Sequence, residues 1–192
     1  MSDYLMKTLK FKDGGRLEII REMDISDYCP RLNDNFGTML FGHKQYYLGD
    51  TKFHTKEELE KVMNDSNNVF LKVWMYEHSG ITISTEYTYP YNDYWDAGLL
   101  GIIYVSKDKI RETFRVKHIT KKVMDLVLDS LRGEVKEYDM YLTENVYGFR
   151  YYDSNGDEVE NGWGYIGYVD DLTTFFMNGI GINPDDIEEE IE

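Results

Sequence analysis

Ile119, Val123, Val127, Leu131, Val135, Tyr138 and Leu142 recur at steps of three and four residues, the repeat that collects side chains on one face of an α-helix. The spacing predicts a helix over 120–143, with Gly133 tolerated at modest cost. Such a helix is about 36 Å long and apolar on one side only, so it must lie against a sheet. Three strand-like runs can supply that sheet: Val69 to Tyr76 (VFLKVWMY), Ile81 to Thr85 (ITIST) and Leu99 to Val105 (LLGIIYV).

The flanking segments add β structure at both ends. Tyr4 to Phe11 and Leu17 to Ile20 surround the turn signal Asp13-Gly-Gly15, and Tyr147 to Tyr152 and Glu158 to Tyr168 surround Asn155-Gly156, so each pair reads as a hairpin. Thr38 to Phe41 reads as a further strand. Thr55 with Glu58 has capping-box spacing for a helix from Lys56 to about Asp65, Ser106 can cap a helix through Phe114, and Asp170 and Asp171 can cap one through Met177. The fold class is α+β: an antiparallel or mixed sheet with the long helix packed on one face, a single domain over 1–182 and a mobile acidic tail over 183–192.

Charge is distributed unevenly along the chain. Residues 1–124 carry 18 Lys+Arg against 18 Asp+Glu, whereas residues 125–192 carry 3 against 18, so the whole net charge of −15 arises in the last third. A field of that sign attracts basic proteins and repels nucleic acid and anionic membranes. The long helix contributes Asp125, Asp129, Glu134, Glu137 and Asp139, and the segment after it Glu144, Asp153, Asp157, Glu158 and Glu160. If these share a side, they form a carboxylate surface able to occupy the lysines and arginines that a nucleic-acid-binding protein reserves for phosphate. The bland alternative is a solvated helix face and hairpin.

No run of about 20 apolar residues is present, the first residues lack the pattern of a secretory signal, and Cys29 has no partner for an internal disulfide; the expectation is a cytoplasmic protein. No catalytic motif is found, neither a phosphate-binding glycine loop nor a nucleophile elbow. Asp153 to Glu160 places oxygens at alternate positions, but its Gly stands fourth rather than sixth, which favours a hairpin over a calcium loop. His43, His54, His78 and His118 are dispersed without the local pairing that metal sites show, so no metal or cofactor is expected. The polar groups next to glycines and at strand ends, His43, Asp50, His78, Trp95 and Asp96, form the alternative: a small-ligand or nucleotide site, if they converge. Tyr87, Tyr89, Tyr91, Tyr94 and Trp95 make an aromatic stretch whose only charges are acidic, which suits a covered edge or a protein-binding patch better than a base-stacking platform.

The runs Asp34-Asn-Phe-Gly-Thr-Met39 through Leu48-Gly-Asp50, Glu77-His-Ser-Gly-Ile-Thr82 and Trp95-Asp-Ala-Gly-Leu-Leu-Gly-Ile-Ile-Tyr-Val-Ser106 resemble a family of bacteriophage and mobile-element proteins with no established activity. The likeness spans roughly residues 34–168 and departs from the family pattern at Phe36, where Leu is usual, and Ala97, where Ser is usual. It implies a mobile-element origin. Together with the charge, the expectation is a non-enzymatic, phage-type acidic inhibitor of a host defence protein of anti-CRISPR or anti-restriction type, a possible DNA mimic whose partner has a basic groove.

Overall fold

The computed structural model describes residues 4–191. In chain order the elements are β1 (Tyr4–Phe11), β2 (Arg16–Arg21), β3 (Thr38–Phe41), β4 (Thr51–Lys52), α1 (Lys56–Asn64), β5 (Asn68–Glu77), β6 (Ile81–Ser84), β7 (Ala97–Ser106), α2 (Lys107–Phe114), α3 (Lys121–Leu142), β8 (Val146–Tyr152), β9 (Glu158–Ile166), α4 (Val169–Gly179) and β10 (Ile187–Ile191). The α+β class and the long helix are as the apolar repeat requires. The strands form two five-stranded sheets, and the chain divides into two compact units. The physical reason is that the terminal hairpins pair with each other and build their own core.

The first unit comprises residues 1–29 and 140–192. Its sheet has the order β10-β1-β2-β8-β9, every pairing antiparallel. Alternation sends Leu9, Phe11, Leu17, Ile19, Tyr147 and Phe149 to one face, where α4 covers them with Leu172, Phe176 and Met177. Phe149 and Phe176 stack with centroids 4.5 Å apart. The helix starts after Tyr168 with no side-chain cap, so Asp170 and Asp171 sit in its first turn instead of capping it. The acidic end, expected to trail free, is strand β10 over Ile187–Ile191, held to β1 by backbone pairing; Glu192 lies outside the described residues.

The second unit, Pro30–Asp139, holds a sheet of order β4-β3-β7-β5-β6. Thr55 caps α1 by accepting a hydrogen bond from the Glu58 N–H, and the Glu58 carboxylate accepts from the His54 N–H, one residue earlier than the capping-box partner. Leu59 of α1 is buried with Leu40 and Ile102. On α3, Val127, Leu131, Val135 and Tyr138 are buried, the part of the apolar stripe that finds a sheet to pack on. Among the described residues no helix is long and apolar enough to cross a membrane.

Candidate functional site

Sorting the charges by unit sharpens the sequence asymmetry. The first unit has 6 Lys+Arg against 19 Asp+Glu, net −13, and the second 15 against 17, net −2. Both edge strands of the first sheet are acidic: β9 carries Glu158 and Glu160, and β10 carries Glu188, Glu189 and Glu190. Register puts a glutamate at each end of two consecutive rows, which face opposite sides of the sheet, and both edge ladders carry a register shift at these residues. One row across the sheet reads Glu190, Leu9, Leu17, Tyr151, Glu160, and the next reads Glu189, Lys10, Arg16, Tyr152, Glu158, so each ends in a glutamate at both edges. Charged edge strands also discourage edge-to-edge pairing, the structural use of such residues.

Cations of the N-terminal hairpin neutralise part of this surface. The Lys7 ammonium lies 2.8 Å from Asp170 and 2.6 Å from Glu190, and Lys10 lies 2.6 Å from Glu189. Burial pulls the Lys7 ammonium down, but hydrogen bonds and charge from Asp170 and Glu190 outweigh it and hold the group above its ordinary value. Arg16 engages Glu18 and covers the Tyr152 ring at 3.7 Å. Glu144, Asp157, Glu160, Asp171 and Glu188 remain exposed, and their side chains take part in none of these pairs.

The ten carboxylates anticipated for an acidic face have different fates. Asp125 and Glu137 are exposed on α3, and Asp129 pairs with Arg132 at 2.9 Å. Glu134 and Asp139 are turned inward and leave the surface. Asp139 accepts the Ile83 N–H at 2.7 Å, and burial pushes its carboxyl up despite that bond. Asp153 closes the β8–β9 turn by accepting N–H bonds from Asn155 and Asp157, which hold its carboxyl below the usual range, the Asp157 N–H contributing most. Glu158 accepts from Asn161 at 2.7 Å and lies 4.0 Å from Arg150.

The five residues of the alternative ligand site do not meet at one point. Asp50 is locked into a nearly buried triad: Arg31, its side chain only 4% exposed, binds both oxygens of Asp50, reaches Glu134 at 2.8 Å and donates to the Gly37 carbonyl. The remaining acceptor capacity is used by backbone, with Met39 N–H on Asp50 and Phe36 and Gly37 N–H on Glu134. Burial alone would lower the guanidinium, yet Asp50 and Glu134 together hold it above its ordinary value. The glycines of this region serve the same packing. A Cβ on Gly37 would stand 2.6 Å from Leu131 and 2.8 Å from Ile103, and Gly49 has φ +72 while its N–H reaches the Tyr138 hydroxyl at 3.2 Å. The Asp34–Asp50 pattern is therefore a folding device, and Arg31 is its centre.

His43 approaches Glu77 at 3.5 Å and stacks on Tyr46, whereas His78, the next residue after Glu77, lies 3.2 Å from Asp96. The His43 side chain is largely covered and the His78 one exposed, and the Glu77 N–H donates to the Asp96 carbonyl at 2.8 Å, so the two pairs adjoin at Glu77 while Asp50 is held in the Arg31 triad. Among the described residues no three His, Cys, Asp or Glu side chains come together to hold a metal ion. Trp95 stands out of the loop that follows β6, 86% exposed, edge to face with Tyr94. No family profile, curated protein or solved structure matches the chain.

Proposed function

We propose that this protein is a phage-type acidic inhibitor that acts by binding, placing the carboxylates of its first unit in the basic groove of a host protein that targets nucleic acid. The observation that carries this reading is the net −13 concentrated in that unit, with glutamates at both edges of the sheet. Four interstrand steps separate β10 from β9, about 19 Å. A groove lined for phosphate thus meets negative charge on two parallel rails. Lys7 and Lys10 temper the β10 rail, leaving Asp157, Glu160, Asp171 and Glu188 as the principal contacts.

The test is plating efficiency of phage on bacteria carrying restriction or CRISPR defences, with and without the protein. Wild type should relieve at least one nuclease-based defence. A variant with Asp157→Asn, Glu160→Gln, Asp171→Asn and Glu188→Gln should lose that relief while keeping its melting temperature. Binding to the purified target should weaken steeply with salt, since exposed charges are screened within about 10 Å at 0.1 M. No relief across the panel, or equal relief by the neutralised variant, counts against the proposal.

A further inference from the structure

Thr85 to Asp96 connects β6 to β7 with twelve residues, crossing past β5, which lies between the two strands in the sheet. Four of its rings face solvent: Tyr87 is 59% exposed, Tyr89 78%, and Tyr94 and Trp95 86% each. The loop is nevertheless anchored. The Asp93 carboxylate accepts the N–H groups of Trp95 and Asp96, the Asp93 N–H donates to the Pro90 carbonyl, and the Asp96 carbonyl accepts the Glu77 N–H at 2.8 Å. Tyr87 rests on Trp74 with ring centroids 4.2 Å apart. Large rings held on a pinned backbone offer contact area at low entropic cost.

The charges around these rings specify what they fit. Glu86, Asp93 and Asp96 are the acidic residues of the loop, which contains no lysine or arginine of its own; Asp96 meets His78 at 3.2 Å, and Glu86 lines a pocket with Arg132 and Lys136. Elsewhere in the molecule ring faces take cations: Arg16 lies over Tyr152, Lys72 over Trp74 and Arg150 over Trp163. Tyr94 and Trp95 pack edge to face, each keeps most of its surface exposed, and in sequence they stand between Asp93 and Asp96. Aromatic faces beside carboxylates are the chemistry that holds guanidinium groups, through cation–π attraction and charge-assisted hydrogen bonds.

We infer that the Thr85–Asp96 loop is a docking surface for an arginine-rich segment of a partner protein, with Tyr89, Tyr94 and Trp95 receiving guanidinium groups and Glu86 and Asp96 fixing them. The inference concerns residues of the second unit and stands apart from the carboxylate rails, although both select a basic partner. Unlike the rails, ring contacts retain much of their strength in high salt, because they do not depend on long-range charge.

The experiment is an anisotropy titration of the full chain against labelled hexa-arginine, hexa-lysine and oligo-thymidine, at 0.15 and 1 M salt. Hexa-arginine should bind best, and Tyr94→Ala with Trp95→Ala should weaken it about tenfold at both salt concentrations. Trp95→Phe should restore most of the loss. The neutralised rail variant should lower affinity at 0.15 M only, which separates failure of this inference from failure of the proposed function. Unchanged hexa-arginine affinity in the double variant, preferential binding of oligo-thymidine, or a solution dimer abolished by the same substitutions would each overturn it. Both rings are solvent-exposed, so the variants should melt with wild type, and a lowered melting temperature would contradict the exposed placement on which the inference stands.

Discussion

Replacing Arg31 by Met removes the cation from a site that keeps two inward-facing carboxylates, Asp50 and Glu134. Methionine replaces the aliphatic part of the arginine side chain but stops short of the guanidinium, so the Gly37 carbonyl also loses its donor. The larger change is electrostatic: both carboxylates are left with only the backbone N–H donors of Met39, Phe36 and Gly37. Breaking a buried pair in this way costs about 3–5 kcal/mol. At about 2–4 °C per kcal/mol for a chain of this size, the melting temperature should fall by about 6–20 °C. The sign of the pH dependence is also fixed. The variant leaves two carboxylates facing one another without their cation, and protonating one relieves that repulsion. Protonation then favours the folded state, and the deficit should shrink as pH falls through the carboxylate range. Urea denaturation followed by tyrosine and tryptophan fluorescence at pH 7 and pH 4.5 measures both effects. A variant within 1 kcal/mol of wild type at pH 7, or one whose deficit grows in acid, refutes the assignment of Arg31 as the centre of the motif.

Lys7→Met should destabilise the first unit at neutral pH and flatten its alkaline limb. The native ammonium is held above its unfolded value of 10.5, so its stabilisation is complete below that value and is lost as pH rises through the folded one, a loss the variant lacks in thermal melts at pH 9–12. Asp139→Asn should leave stability at pH 7–8 equal to or above wild type, because the amide oxygen still accepts the Ile83 N–H while the buried charge is gone. For the native acid, raised by burial, stabilisation is present at low pH and fades as pH climbs through the folded value, so the variant's urea midpoint should gain on wild type from pH 4 to 7.

Much of the fold was legible because its signals are local. The α3 stripe, the Thr55 and Ser106 caps and the two hairpins each depend on residues within a few positions of one another, and the structure forms them at nearly the expected bounds. What could not be read was pairing across long separations. β2 finds β8 and β1 finds β10, and these contacts make a second sheet and tie down the acidic end. Arg31 meets Glu134 across 103 residues, with no periodicity to announce it. One signal was available on α3. Glu134 lies three residues after Leu131 and four before Tyr138, beside the buried stripe, and Asp139 follows Val135 by four, so both flank the apolar face rather than lying opposite it. A carboxylate at such a position requires a donor from outside the helix, as Arg31 and the Ile83 N–H supply.

The second unit is one uninterrupted stretch of chain, whereas the first is assembled from both ends. During synthesis Ile20 must wait for Gly148, 128 residues later, an interval of about 6–25 s at ordinary elongation rates. Through that time the apolar face of the N-terminal hairpin, Leu9, Phe11, Leu17 and Ile19, has no α4 to cover it. Nascent chains stalled between the two units should therefore carry a folded middle and a sticky leading segment, a natural client for ribosome-associated chaperones.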